Sequence, residues 1–183
     1  MQRKIITLII IAIIAGTVSI TVLYAQNELN ANIAAAKQLR FILSGGGVSS
    51  LFINYPASDA TLWFSVSFYL SNPSSKSLTV PPFNLVVYMD NNKLGNVTTS
   101  QSYYLGQGLA SSSTLTLKVQ SSQLPSPFKD TFFNIADDIW NDEKPSVNLR
   151  VTGTAIITVT SLFLSATVPV PVDVNKTINL LKP

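Results

Sequence analysis

The sequence contains no cysteine and no histidine, and it has only 12 basic and 9 acidic residues among 183. Without cysteine the chain cannot perform thiol catalysis or hold an iron–sulfur cluster or a zinc–cysteine site. Without histidine it lacks the commonest general base and metal ligand. Charged residues make up 11% of the chain, against about 25% in an average soluble domain, so most of its polarity comes from Ser, Thr and Asn.

The shortage of charged residues also limits which partners the chain can bind and which reactions it can catalyse. The formal net charge of +3 is thinly spread beyond Arg3-Lys4, whereas a nucleic-acid surface needs a basic stripe, so we expect no nucleic-acid partner. A nucleophilic serine needs an adjacent base and an oxyanion hole. Ser75-Lys76 is the sole adjacent Ser-Lys pair, and we interpret it as a solvated loop. We therefore expect no enzyme activity, no metal and no cofactor.

Charge is absent altogether from an Ile-rich run that begins at Ile5 and ends at Ala25. At about 1.5 Å of rise per helical residue, this run is long enough to cross a hydrocarbon core of roughly 30 Å. We expect a retained transmembrane anchor rather than a cleaved signal, because the run exceeds the usual 7–15 residues or so of a signal's apolar region. Leu23 is also unfavourable three residues before a cleavage point. The lipid bilayer is thus the first predicted partner.

The cations around this run predict its orientation. Arg3 and Lys4 precede it directly, whereas the nearest cations after it are Lys37 and Arg40. By the positive-inside rule, we expect a single-pass cell-membrane protein with a cytoplasmic N-terminus and an extracytoplasmic C-terminal domain.

A helical pattern continues beyond the anchor. Apolar residues recur at spacings of three and four, with Arg40 on the same stripe: Leu29, Ile33, Ala36 and Leu43. We predict one helix from Lys4 to Leu43, whose second half is a stalk, and a flexible joint at Gly45-Gly46-Gly47. The stripe is expected to pack on the underside of the chain's own domain, with self-association as the alternative.

From Val48 onward the apolar period changes to two, which is typical of strands with one buried face. The predicted strands cover residues 62–71, 83–89, 93–99, 114–119, 147–159 and 162–174, with a tight turn at 90–92. Gly153 is predicted to form a bulge. Pro169 and Pro171 cannot donate to a ladder, so their strand is predicted at a sheet edge.

One segment departs from this pattern. Residues 126–144 carry Phe and Ile at helical spacing and predict a short amphipathic helix that caps one end of the strands. Together these elements predict a mainly β fold, an antiparallel Greek-key-like β-sandwich with one short helix, preceded by a long N-terminal helix. The predicted divisions are 1–25 for the tip and anchor, 26–47 for the stalk and joint, and 48–183 for the sandwich.

From about Leu62 to Ile178 five motifs follow one another: Asn72-Pro73 after a first strand, Leu94-Gly95 after a second, the Ser/Thr-rich residues 110–117, Val151-Thr152-Gly153 and Val168-Pro169-Val170. This order of motifs resembles a known family, the group 2 late-embryogenesis-abundant proteins with the water-stress and hypersensitive-response (WHy) domain. The resemblance implies a Greek-key-like sandwich with a helix at one end and a link to stress tolerance, often in membrane-anchored form. It implies no catalytic residues.

Five of the nine acidic residues fall close together, at Asp130, Asp137, Asp138, Asp142 and Glu143. Clustered carboxylates can bind Ca²⁺, but this spacing does not match the twelve-residue calcium loop. We interpret the patch as a solvated helix face, and it is also the candidate surface for an ion or a protein partner.

Two further groups of residues are candidates for surface roles. Asn96-Val97-Thr98 and Asn175-Lys176-Thr177 match the glycosylation pattern, which is used only if the domain is outside. The aromatic residues Trp63, Tyr69, Tyr103 and Tyr104 could form a binding face, although cross-strand pairing is the favoured interpretation.

The favoured hypothesis is a single-pass, membrane-anchored, non-catalytic β-sandwich for envelope or protein–protein contact, with a role in stress protection. A pilin-like filament subunit or an archaellum-stator-like subunit is one alternative, because such proteins also place a hydrophobic helix before a β-sandwich. An accessory subunit of a larger membrane complex is another.

Overall fold

A computed structural model describes the backbone of residues 2–181 and the side chains of residues 9–181. Two α-helices and nine strands follow one another: α1 (Gln2–Lys37), β1 (Arg40–Asn54), β2 (Asp59–Ser71), β3 (Leu78–Val80), β4 (Asn84–Met89), β5 (Asn92–Thr98), β6 (Tyr103–Leu105), β7 (Ala110–Gln120), α2 (Phe128–Trp140), β8 (Ser146–Ser161) and β9 (Leu164–Asn179). Short 3₁₀ turns occupy Tyr55–Ala57 and Ser121–Gln123. The predicted fold class is confirmed.

The strands form two main antiparallel sheets. One sheet has the order β1-β2-β7, the other has the order β5-β4-β8-β9, and β3 pairs with β6 in a small separate ribbon. The inward residues of both main sheets belong to a single buried core. Contacts between β1 and β9 and between β5 and β7 join the sheets along their two sides. The result is a sandwich with the core between its layers.

The alternation predicted for β2 is confirmed by burial. Leu62, Phe64 and Leu70 are fully buried, whereas the neighbouring Trp63 and Tyr69 are partly or largely exposed. One-faced burial follows directly from the two-residue period of a strand.

The predicted edge position of the proline-containing strand is also confirmed. β9 pairs with β8 on one side and is the last strand in its sheet. Pro169 and Pro171 are exposed, while Val168 and Val170, which alternate with them along the strand, point into the core. Prolines two residues apart remove donors from the free side of the ladder, which hinders pairing with a further strand.

The predicted amphipathic helix is present as α2, and its Phe and Ile residues are buried. The ring of Phe132 lies 6.1 Å from that of Phe64 in β2. The helix therefore seals the core at the end of the sandwich where β1 ends and β2 begins.

The predicted end of the first helix is wrong, and so is the glycine joint. α1 ends at Lys37, and Gly45-Gly46-Gly47 lies inside β1, paired with β2. A Cβ on Gly46 would lie 2.9 Å from Leu149 Cδ1. The glycine thus allows β1 to lie close against the opposite sheet, and the segment is a paired strand rather than a hinge.

The predicted bulge at Gly153 is wrong as well. Its pairing with Leu85 in β4 and Val172 in β9 continues without a register shift. A Cβ at this position would lie 2.5 Å from the carbonyl oxygen of Asn84. The absence of a side chain therefore serves close approach of the β4 backbone.

Candidate functional site

From Ile9 to Tyr24, the described part of the first half of α1 presents a largely apolar, exposed surface. From Ile9 to Tyr24 every side chain is exposed, including Ile20 at 69%. Within the described residues, α1 is the one helix long and apolar enough to span a membrane. The hydroxyls of Thr17, Ser19 and Thr21 donate to carbonyl oxygens of their own helix. The face is therefore suited to lipid.

The second half of α1 is docked on the sandwich. Ala35, Ala36 and Leu39 are buried in the core, and Leu29 and Ile33 pack against it. The helix contacts both β8 and β9. The prediction that this stripe packs on the chain's own domain is confirmed. The second half of α1 is therefore held by the domain rather than standing free.

Two hydrogen bonds fix the docked helix to the end of β8. The Asn32 Nδ2 donates to the carbonyl oxygen of Thr160 at 2.9 Å. The Ser161 hydroxyl, which is buried, donates to Glu28 Oε2 at 2.7 Å. These bonds join residues more than a hundred positions apart, so sequence patterns gave no signal for them.

Directly beyond these bonds, β8 turns into β9 through Leu162 and Phe163. Both side chains are exposed, at 65% and 62%. Leu162 has φ of +49°, a left-handed conformation that is unfavourable for a bulky residue. Phe163 lines a cavity of about 240 Å³ with Thr17, Val18, Thr21 and Val22 of α1. The hairpin tip thus lies beside the exposed apolar half of the helix.

The predicted acidic residues lie at the opposite end of the sandwich. Gly46 of β1 lies against Leu149 and Ile178, far along β8 and β9 from their shared turn, and β1 continues from there towards α2. Asp130 is exposed in the first turn of α2, where a negative charge suits the helix dipole. Asp137 and Asp138 lie further along α2 and are partly exposed, and Asp142 and Glu143 follow its end.

These carboxylates are not brought into one site. The hydroxyl of Tyr55 donates to Asp137 Oδ1 at 2.8 Å, and this bond raises the pKa of Tyr55 above its ordinary value. The Glu143 backbone N–H donates to the carbonyl oxygen of Asp138. Across residues 9–181, no three acidic side chains come together in a way that could bind a metal ion. The patch is a row of surface carboxylates.

The sequon residues Asn96 and Asn175 are both exposed, on β5 and β9. Asn175 lies opposite Arg150 in β8, whose guanidinium bonds Asp173 at 2.7 and 2.8 Å. That pair holds the pKa of Asp173 below its ordinary value, mainly through the hydrogen bonds from Arg150. Both asparagines are sterically open to modification.

The four aromatic residues do not share one face. Tyr103 is buried and its hydroxyl donates to Ser113 Oγ, while Tyr104 beside it is 72% exposed. Trp63 lies under Lys118 Nζ, which is 5.3 Å from the ring centroid. Their dispersal does not favour a common binding surface.

Two polar residues, Asn72 and Asp59, organise the loops. Asn72 is fully buried, and its Nδ2 donates to the carbonyl oxygens of Lys76 and Leu105. Asp59 Oδ1 accepts from the Ser121 hydroxyl at 2.6 Å and from the Ser122 N–H at 3.1 Å. The Ser121 bond is the main reason that the pKa of Asp59 lies below its ordinary value. Both networks close loops rather than perform chemistry.

A second cavity, of about 370 Å³, opens between β5 and the segment after β7. Its lining includes Leu94, Gly95, Val119 and Leu124, and Lys93 supplies its charged side chain. A lone exposed lysine among apolar and amide groups provides no base, nucleophile or metal ligand set.

No protein-family model matches the chain, and no curated protein sequence matches it.

Comparison with solved structures finds weak likenesses. A solution structure of a protein from Arabidopsis thaliana is 15% identical, with 77% of this chain and 84% of that chain covered and a TM-score of 0.42. A solution structure of a protein designated late embryogenesis abundant (LEA) is 12% identical, with 94% and 88% covered and a TM-score of 0.40. The crystal structure of a protein designated ApaA from Bordetella pertussis is 13% identical, with 80% and 94% covered and a TM-score of 0.42. Because these TM-scores are below 0.5, we base no functional conclusion on them.

Proposed function

We propose that this chain is a single-pass membrane protein that holds a non-catalytic β-sandwich against the outer surface of the cell membrane. Its role is contact with other proteins of the envelope, and the motif resemblance to the WHy family adds stress protection to that role. The N-terminus is cytoplasmic and the sandwich is extracytoplasmic.

The observation that carries the proposal is the division of α1 into two halves. The part from Ile9 to Tyr24 is exposed throughout and mainly apolar, and the part that begins at Ala25 is bound to the sandwich. A run of exposed isoleucines is unfavourable in water and favourable in hydrocarbon. The docked half then fixes the sandwich at a set height and angle above the lipid.

The chemistry of the chain supports a binding role over a catalytic one. It has no histidine and no cysteine, and Ser75, the one candidate with a neighbouring lysine, is exposed in the loop that Asn72 organises. Such a loop supplies neither a buried base nor an oxyanion site.

The end of the sandwich away from the hairpin tip is the surface that we assign to a partner. It carries the acidic residues of α2 and the segment after it, together with Tyr55 at 50% and Trp140 at 44% exposure. Aromatic residues beside a charged rim are typical of protein-binding surfaces. A partner with basic side chains would complement this end.

Protease treatment of intact cells tests the topology. A C-terminal tag should be removed from the full-length protein by external protease, because the tag lies outside. A tag at the N-terminus is the matched control and should survive until the cells are lysed. Survival of the C-terminal tag in intact cells would contradict the proposal, as would recovery of the protein in a sheared filament fraction, which is expected of a pilin.

A further inference from the structure

We propose that the β8–β9 hairpin is a second membrane contact, in which the turn Leu162-Phe163 inserts into the leaflet from which α1 emerges. This inference rests on the proposed function, since it requires α1 to span the membrane. With this contact the protein is attached to the membrane at two places, through α1 and through the hairpin turn.

The turn itself is built against the usual preference of hairpins. Two-residue hairpin turns favour Asn-Gly, Asp-Gly and similar pairs, because left-handed backbone is unfavourable for larger side chains. Here Leu162 adopts φ of +49° and Phe163 follows it, with both side chains 62% exposed or more. Neither side chain enters the core, so folding does not account for two large apolar residues at this place. Insertion into lipid does.

The depth of the turn matches the membrane boundary. Phe163 lies beside Val18 and Val22 of α1, while the uncharged run ends at Ala25. At 1.5 Å of rise per residue, Phe163 lies roughly 5 to 10 Å inside that end of the run. That depth matches the roughly 5 to 10 Å by which the apolar faces of interfacial elements enter the membrane.

Polar groups begin at the same level on the helix and on the hairpin. Glu28 and Asn32 of α1 are bonded to Ser161 and Thr160 of β8. On the membrane side of these bonds, beyond Gln26 and Asn27, the sequence of the helix carries no charged residue as far back as Ile5, and the turn carries none. The two elements therefore share one polar–apolar border, as expected if both cross one interface.

The occupant of the surface around the turn is lipid rather than a second protein. The turn is continuous with the face of α1 from Ile9 to Tyr24, which is exposed throughout, and hydrocarbon already surrounds that face if α1 spans. A partner protein at the turn would have to displace this lipid, and neither of the two turn residues, Leu162 and Phe163, has a charged or polar side chain that would recognise one.

Single cysteines test the inference directly, because the natural chain has none. Phe163→Cys carries an environment-sensitive NBD fluorophore in full-length protein reconstituted into phosphatidylcholine vesicles. The matched control is Phe52→Cys, since Phe52 is 61% exposed and lies in β1 beyond Gly46, at the far end of the sandwich. Ile13→Cys, at a position 60% exposed within the predicted span, reports on the anchor itself.

We expect the probe at 163 to emit several-fold more strongly and at shorter wavelength than the probe at 52, and to be quenched by nitroxide on lipid chains. An emission as weak as that at 52 would overturn the inference, and so would strong emission without nitroxide quenching, which would mean protein contact. If the probe at 13 is quenched and the probe at 163 is not, the hairpin inference alone fails. If neither is quenched, the membrane anchor fails too.

Discussion

The docking of α1 on the sandwich can be tested with one added side chain. Ala36 is fully buried between the helix and the sandwich, whereas Ala34, two residues earlier, is exposed. Ala36→Leu forces extra carbons into a filled interface, and overpacking of this kind costs about 1–3 kcal/mol. Since about 1 kcal/mol corresponds to roughly 2–4 °C for a chain of this size, we expect the melting temperature to fall by about 2–12 °C.

The assay is thermal unfolding by circular dichroism of the full-length protein in detergent, together with hydrogen exchange of residues 26–37. Most of the stability of a helix in a protein comes from tertiary packing of its apolar face, so Ala36→Leu should also speed exchange in that segment. Ala34→Leu is the matched control, and a surface change should alter the free energy of unfolding by no more than about 0.5 kcal/mol. Identical melting and exchange for the two variants would refute the docked helix and favour a free stalk.

Two further predictions concern the sandwich. Gly153→Ala should lower the free energy of unfolding by about 1–3 kcal/mol, because its Cβ would lie 2.5 Å from the carbonyl oxygen of Asn84. Gly47→Ala, where the nearest atom is 4.0 Å away, is the control, and equal losses in the two variants would contradict the close approach. Because hydrogen bonds lower the pKa of Asp59 from its ordinary 3.8, its carboxylate stabilises the fold above about pH 4, and this contribution is lost as the pH falls through the lowered pKa. The melting temperature of the natural protein should therefore exceed that of Asp59→Asn by a constant amount at neutral pH. Below about pH 4 this difference should shrink. A difference in melting temperature that persists in strong acid would show that the carboxylate is not responsible.

Elements decided by local pattern could be predicted from the sequence. The alternation through Leu62, Phe64 and Leu70 specified β2 and its buried face, and the spacing of Phe128 and Phe132 specified α2. Pro169 placed its strand at an edge because a missing donor is a local property of the residue. In each case the physical cause lies within a few residues of its effect.

Features decided by distant packing could not be predicted in this way. The residues around Gly46 looked like a joint, because glycine is flexible in isolation; contact with Leu149 in the opposite sheet makes the segment a strand. Gly153 looked like a bulge for the same reason. The bond between Glu28 and Ser161 depends on how the helix lies on the sandwich, and no local spacing specifies it.

The acidic residues near α2 could be predicted from the sequence only in part. Their clustering in the sequence was evident, and α2 carries three of them, but the carboxylates are spread along a surface rather than directed at a common point. Closeness in the sequence predicted that the acidic residues form a patch, but not how their carboxylates are arranged. Carboxylates meet at one point only when several secondary-structure elements direct them there.

The link between α1 and β1 has a mechanical consequence. Only Gln38 and Leu39 separate the end of the helix from the first strand, and β1 runs from there towards the far end of the sandwich while pairing with β2 along its length. A pull on that far end would load the β1–β2 ladder along the strand axis, so many of its hydrogen bonds would share the force instead of opening one after another. A force between α1 and that far end would thus act on the ladder in shear, which is the direction in which a sheet resists rupture best.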